Sequence, residues 1–389
     1  MARIIINSYV MSYPVGGFLS WTLQWLVGLH RLGHEVHLVE KCGSFPNACY
    51  DIWRNVMSDD PSCGIAAMRS LMSRLGLKES ITFVDASGRH HGLSAREIKE
   101  LFAASDLYLD ISGGFFLPLE DTWDALAATA GTRVCVDGEP GYTQMKMTKR
   151  LAEGGALPGY DHYFTVGTNV GSDSCGVPLA GKHWRATFDP VNLDLFDASP
   201  PPVGAPFTTV MAWQSHAPLE FDGRVYGQKD VEFARFMELP RMTQAPLEIA
   251  VGGKKVPLEE LRSSHWRVRD SHQVTSTFDS FVKYIAESRG EFTVCKNVFV
   301  ATTSGWFSDR SAAYLASGRP VVMQDTGFSK HLPCGAGLFA VNTAEEAAAA
   351  IQEIQGDWMR QSRMAREIAA GHLSAPVVLR KLLGEIGLA

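Results

Sequence analysis

Two acids on a glycine-rich turn, Asp137 and Glu139 in Asp137-Gly138-Glu139-Pro140-Gly141, are well placed for acid–base work. They follow Arg133-Val134-Cys135-Val136, which reads as a buried strand, so both acids stand at a strand end. A turn with solvated acids describes the same residues. A second group is Ser304-Gly305-Trp306-Phe307-Ser308-Asp309-Arg310, leading into Ser311 to Ser317. Ser308 suits a helix N-cap, and Asp309 suits the positive end of the helix dipole. Free amides at Ser308 and Asp309 would face whatever lies beyond the sheet edge, which is a place for a phosphate. One more helix–strand unit of scaffolding is the alternative. Lys229, Gln214, Ser215, His216 and the pair Gly16-Gly17 are the other polar or glycine groups at predicted strand-to-helix loops.

The elements that must position these groups alternate strand and helix. Ile4 to Ile6 is a strand; a loop through Tyr13-Pro14-Val15-Gly16-Gly17 leads to a helix with Leu19, Leu23, Leu26, Val27 and Leu29 on one face. Gly33 stops it, and His34 to Glu40 is the next strand, so this is a βαβ unit with a parallel sheet. Ligands gather at the C-terminal ends of such strands, where Gly16-Gly17 lies. Cys63 to Gly76, Ser94 to Ser105 and Trp123 to Ala130 read as helices; Ile81 to Val84, Leu107 into Gly113-Gly114, and Tyr163 to Gly167 read as strands. The stretch Ser199-Pro200-Pro201-Pro202-Val203-Gly204 is the clearest linker. It divides the chain into residues 1–186, a linker over 187–206, and residues 207–389. Phe207 to Trp213 starts the second domain, followed by the strand Leu247 to Val251 and a helix from Thr277 to Ser288. Ala316-Ser317-Gly318-Arg319-Pro320-Val321-Val322 ends the Ser308 helix and opens a buried strand. Helices over Ala344 to Ile354 and Trp358 to Ala370 close the chain, the last of them able to pack back on the first domain.

Composition narrows the function. The 389 residues exceed one ordinary core, and 46% hydrophobic with 20% charged residues is globular. A net charge of −6 without a basic run argues against nucleic acid as partner. Seven scattered cysteines without C-x-x-C fit free thiols in a reducing cytosol. Arg3-Ile4-Ile5-Ile6-Asn7 is too short and abruptly polar for a signal peptide, and no apolar run spans a membrane, so the expectation is a cytoplasmic protein. No D-x-D, H-E-x-x-H or His/Cys cluster has metal-ligand spacing. Gly176 and Gly181-Lys182 approach a Walker A loop, but His183 stands where Ser or Thr should be. Neither G-x-G-x-x-G nor G-x-S-x-G occurs. What remains is a cleft between two α/β domains with amides, Lys229, Arg310 and a few acids. That set can hold a diphosphate without a bound metal.

Gly305 to Thr326 resembles the donor region of two-domain nucleotide-sugar glycosyltransferases of the GT-B fold, of the family 1 and 4 kind found in bacteria. The motif residues are Ala316-Ser317-Gly318-Arg319-Pro320-Val321-Val322, ending in Asp325-Thr326-Gly327. Tyr13 to Gly17 is similar to that family's N-terminal glycine loop, and Leu32-Gly33-His34-Glu35-Val36 to its first helix–strand join. The resemblance implies two Rossmann-like domains facing a central cleft, the first binding the acceptor and the second the donor. It implies a metal-independent hexosyl transfer from a UDP- or TDP-sugar to a small-molecule, natural-product-like acceptor, with no cofactor, in a monomer or homodimer. Gly16, Gly17, Lys229, Ser308, Asp309 and Arg310 would hold the diphosphate. Gln214, Ser215, Tyr284, Ser288 and Glu291 would meet the nucleoside or sugar. Tyr13 and Tyr142, among Tyr9, Phe18, Trp21, Phe115 and Phe116, would meet a flat or apolar acceptor. Glutamates flank the phosphate helix in many retaining members; here Asp309 occupies the region of the first. The first-loop histidine of many inverting members is missing from Asn7 to Gly17, which leaves Asp137 or Glu139 as base. A retaining enzyme would let the leaving phosphate accept the proton. A non-catalytic two-domain binder and a sugar-nucleotide epimerase of the same fold are the alternatives.

Overall fold

Strand–helix alternation from Arg3 onward builds two parallel sheets whose C-terminal edges face each other. The computed structural model describes residues 1–77, 80–112, 117–215 and 217–388. The Gly113-Gly114 loop, Phe115, Phe116 and His216 lie outside the described residues.

The first sheet has eight strands in the order Trp184–Ala186, His162–Thr165, Thr132–Asp137, Leu107–Asp110, Arg3–Asn7, Glu35–Lys41, Ile81–Val84 and His90–His91. All pairs are parallel except the last. Ile4, Ile5 and Ile6 are fully buried because helices cover both faces, which is why the strand reads as an unbroken apolar run. The second sheet is six-stranded and wholly parallel: Arg267–Asp270, Leu247–Gly252, Phe207–Ala212, Gly290–Thr293, Val321–Gln324 and Leu338–Val341. Sequence reading missed the inner strand Gly290–Thr293 and four edge strands, Trp184–Ala186, His90–His91, Arg267–Asp270 and Leu338–Val341. Each of the four is the outermost strand at an edge of its sheet, and Arg267–Asp270 is largely polar and exposed, without the apolar run that betrays an inner strand.

The helix Gly16–Arg31 is clamped from two sides. Ala375–Glu385, the last helix of the chain, crosses back to it, and Leu379, Leu382 and Leu383 join the core of the first domain. Gly28 permits the crossing, since a Cβ there would stand 2.6 Å from Leu379 Cδ1. At its other end, Gly16 meets the helix Phe278–Ala286 of the second domain.

Further contacts hold the two domains in a closed arrangement. The amide of Asn169 donates to Ser304 O at 3.0 Å, and Thr168 Oγ1 donates to Gly305 O at 2.8 Å. Gly305 has a φ of +76°, and a Cβ would stand 2.5 Å from Thr168 Oγ1, so both backbone angle and space call for glycine. Arg74 forks onto Asp279 with bonds of 2.6 and 2.8 Å. No helix among the described residues is long and apolar enough to cross a membrane.

Candidate active site between the two sheets

The loop after Thr132–Asp137 divides its two acids by role. Asp137 is buried: Oδ1 accepts the Glu139 amide at 2.9 Å, while Oδ2 accepts Gln144 Nε2 and Thr165 Oγ1, both at 2.7 Å. Burial raises its pKa against the pull of those bonds. With its oxygens spent on its own loop, Asp137 positions that loop and is not free to take a substrate proton. Glu139 is the acid the loop presents: its side chain is 40% exposed, and both oxygens accept from Lys296 Nζ at 2.7 Å. The pair joins the first domain to the second. Lys296 follows the strand Gly290–Thr293 and was not singled out from sequence.

Glu139 belongs to a cavity of about 120 Å³ between the domains, which Tyr9, Trp21, Asp189, Trp306 and Asp309 also line. Asp189 comes from the segment linking the domains and accepts Trp21 Nε1 at 2.7 Å. Burial, with the Asp309 charge beside it, pushes the Asp189 carboxyl up to about 7. Burial also raises Asp309, opposed by the Arg310 guanidinium. These two carboxyls therefore compete for ionisation across the cleft. The loop carrying Tyr9 is held from below by Glu40, whose oxygens accept the Met11 and Ser12 amides, each at 2.6 Å. Burial raises Glu40 to about 8 in spite of those bonds.

On the second-domain side stands a corner of positive charge. Lys229 opens the helix Lys229–Phe233, is only 8% exposed, and makes no hydrogen bond or ion pair with any described residue. Burial first, then the neighbouring Arg310 and Lys296, push its amine down to about 7. Arg310 is anchored: Nε donates to Glu291 at 2.6 Å, Nη1 to Val210 O at 2.8 Å and Nη2 to Thr293 Oγ1 at 2.8 Å. The helix Asp309–Ala316 begins here with Ser308 at its N-cap position, but the Ser308 side chain makes no capping bond. The amides of Ser308 and Asp309 donate to no described residue. An uncommitted buried amine beside free helix-end amides is a site for an anion.

The other expected residues divide by sheet edge. Gln214 donates to Asp230 at 2.6 Å and Ser215 to Gln228 at 2.9 Å, both in the loop after Phe207–Ala212 and so at the cleft edge. Tyr284, Ser288 and Glu291 are corrections. Tyr284 and Ser288 precede the strand Gly290–Thr293, and in a parallel sheet the residues before a strand stand at the edge away from the cleft. Tyr284 OH donates to Glu248 at 2.9 Å, and Ser288 shares a 2.6 Å bond with Thr208. Glu291 is fully buried, its oxygens taken by Arg310 and by Ser311 at 2.6 Å. It orients the cation and does not meet a nucleoside. A Cβ at Gly16 would stand 2.5 Å from Thr277 O, so helix contact calls for glycine at this position, while Gly17 faces open space. Tyr13 stacks on Tyr50 at 5.4 Å near the cleft mouth, where Tyr50 OH lies 3.4 Å from His272 of the second domain. Tyr142 is half-buried with Lys146 Nζ 4.7 Å from its ring. Among the described residues, no three His, Cys, Asp or Glu side chains are grouped to hold a metal ion.

No protein-family model and no curated protein sequence matches the chain. Solved structures do match its fold over the full length. AviGT4, a glycosyltransferase involved in avilamycin A biosynthesis, is 13% identical with a TM-score of 0.55, over 99% of this chain and 97% of that one. HepE of Anabaena, in complex with UDP-glucose, is 11% identical with a TM-score of 0.59, covering 100% of both. An alpha-glucosyltransferase in complex with UDP gives the same identity, TM-score and coverage. The chain therefore has the GT-B fold, two Rossmann-like domains with a cleft between them.

Proposed function

We propose that this protein is a glycosyltransferase that moves a hexosyl group from a nucleoside diphosphate sugar to a small-molecule acceptor. The observation that carries the reading is Lys229, a buried amine with no partner among the described residues, at the cleft edge of the second sheet. A buried cation is costly unless paired, and a diphosphate supplies the missing charge. Ser308 and Asp309 amides add the helix-end contribution, and Arg310, fixed by Glu291, adds a second positive charge without moving. Lys296 is poised to turn from Glu139 to the leaving phosphate once the acceptor engages Glu139. Glu139 then takes the acceptor hydroxyl proton as the oxygen attacks the anomeric carbon and the diphosphate leaves with the bonding electrons. The solved glycosyltransferases of this fold that hold UDP or UDP-glucose favour a uridine donor, and the side-chain compensation favours a reaction that needs no metal.

Thermal melting against a panel of nucleoside diphosphates tests the reading. Selective stabilisation by one of them is expected, with slow diphosphate release from the matching sugar nucleotide, unchanged by EDTA. Silence toward every nucleoside diphosphate would overturn it. Glu139→Gln should keep nucleotide stabilisation and lose about 10²–10⁴-fold in turnover, the usual worth of a general base.

A further inference from the structure

A second cavity, of about 310 Å³, opens beside the first at the C-terminal edge of the eight-stranded sheet. Tyr9, Ser112 and Glu139 line both cavities, so the two adjoin at the acid assigned as base. Its volume is at the small end of ligand pockets. Most of its wall is apolar, and the polar groups set into that wall are only partly satisfied. Asn7 spends its amide hydrogens on Asp110 at 3.0 Å and Ser112 at 2.8 Å, which leaves its carbonyl oxygen as an acceptor. Asp121 is buried, with Oδ2 accepting Ser44 N and Oγ at 2.9 and 2.8 Å, while Oδ1 accepts nothing from a described residue. Lys41 Nζ donates to the carbonyls of Glu120 and Thr122 and has a third hydrogen to give. Trp123 borders the cavity as an apolar group, its indole N–H being enclosed in the protein and not open to the cavity.

From this we infer that the cavity takes the acceptor, and that the acceptor is a neutral, hydroxyl-rich small ring, a sugar or cyclitol, in place of the flat apolar molecule expected from the aromatic content. The inference rests on the transferase reading for the word acceptor, but the ligand chemistry stands on the cavity alone. A hydroxyl both donates and accepts, which is what a wall setting the Lys41 donor beside the Asn7 and Asp121 acceptors requires. A flat apolar ligand would leave those groups buried and unpaired. Asp110 and Asp121, with Glu139 already paired to Lys296, outnumber Lys41 among the described lining residues and make the wall unfavourable to anions. Tyr9 and Trp123 supply apolar faces for the C–H side of a ring.

Saturation-transfer NMR on the full chain with D-glucose, myo-inositol and 4-nitrophenol, run beside UDP melting shifts, tests this. The two polyols should receive saturation and compete with each other, and the phenol should not. Asn7→Ala and Lys41→Met should each weaken polyol binding by at least about tenfold, in line with the cost of an unmatched buried hydrogen-bonding group, with the UDP shift unchanged. Should either variant fail to melt cooperatively, Ser112→Ala takes its place. Saturation of the phenol alone, or polyol binding indifferent to the substitutions, overturns the inference. If the UDP shift persists in that case, the transferase reading survives. Loss of the UDP shift in wild-type protein with polyol binding intact overturns the transferase reading and leaves the cavity assignment standing.

Discussion

A lysine amine pushed down to about 7 and an aspartate pushed up to about 7 face one cleft, and each makes stability depend on pH in an opposite sense. Lys229 binds fewer protons folded than unfolded between about 7 and its ordinary value of 10.5, so its burial penalty is full below 7 and relieved as pH rises through that window. Lys229→Met should therefore raise the melting temperature at pH 6 more than at pH 9.5, while abolishing nucleoside diphosphate stabilisation at both. An equal gain at both pH values would mean that Lys229 is not desolvated as described. Asp189 binds more protons folded than unfolded between its ordinary 3.8 and about 7, so its contribution to stability falls as pH rises across that range. Asp189→Asn keeps an acceptor for Trp21 Nε1, and its melting-temperature advantage over wild type should grow from pH 4 to pH 7.5 and then level off. Neither residue's state was readable from sequence. Lys229 was singled out by its loop position, whereas Asp189 looked like part of a linker because its partners Trp21 and Asp309 are remote in the chain. Lys296 was missed because the strand Gly290–Thr293 was not placed. With that strand in hand, Lys296 is a strand-end residue by the same logic that found Glu139.

At the level of elements, the first helix shows how adjacent glycines can differ. Gly16-Gly17 reads as one motif in sequence, and both positions lie at the predicted βα junction. The structure separates them by what the helix Phe278–Ala286 brings near: backbone and side-chain atoms crowd Gly16, and nothing stands within 4 Å of a Cβ at Gly17. Gly16→Ala should cost about 1–3 kcal/mol, the usual penalty of overpacking. Gly17→Ala, in a helix with free space, should stabilise by about 0.5–1 kcal/mol. Chemical denaturation of the two variants checks both. The helix itself was legible from Leu19, Leu23, Leu26 and Leu29, because a 3.6-residue period is a local property. Which of its faces meets the second domain is a tertiary fact with no local signature. The corrections at Tyr284 and Ser288 have the same origin: the residue types suit a nucleoside, but the edge of the sheet on which they stand follows from strand direction, while Glu291 is withheld by its bonds to Arg310 and Ser311.

For the whole molecule, the chain runs from the first domain to the second and returns, and the return is a structural commitment. Ala375–Glu385 sits on Gly16–Arg31, with Leu379 fully buried and Leu382 and Leu383 each 2% exposed in the core of the first domain. Val191 bonds to the residues on either side of Ser374 nearby, its amide donating to Leu373 O at 2.8 Å and its carbonyl accepting the Ala375 amide at 2.9 Å, so the outgoing and returning segments are tied together where they cross. Together with the Arg74–Asp279 and Lys296–Glu139 pairs, this makes the domains share one hydrophobic seam along the first helix. Exposed ion pairs contribute little to stability, so the seam must come mainly from Leu379 and its neighbours. Leu379→Ala empties a site against Gly28, where the helices approach too closely to collapse further, and should cost about 2–5 kcal/mol. Because the lost contacts belong to the first domain while the helix is covalently part of the second, urea unfolding followed by tryptophan fluorescence and by far-ultraviolet circular dichroism should shift together to lower denaturant. Two separated transitions, with only one displaced, would show that the domains unfold independently and that the returning helix does not couple them.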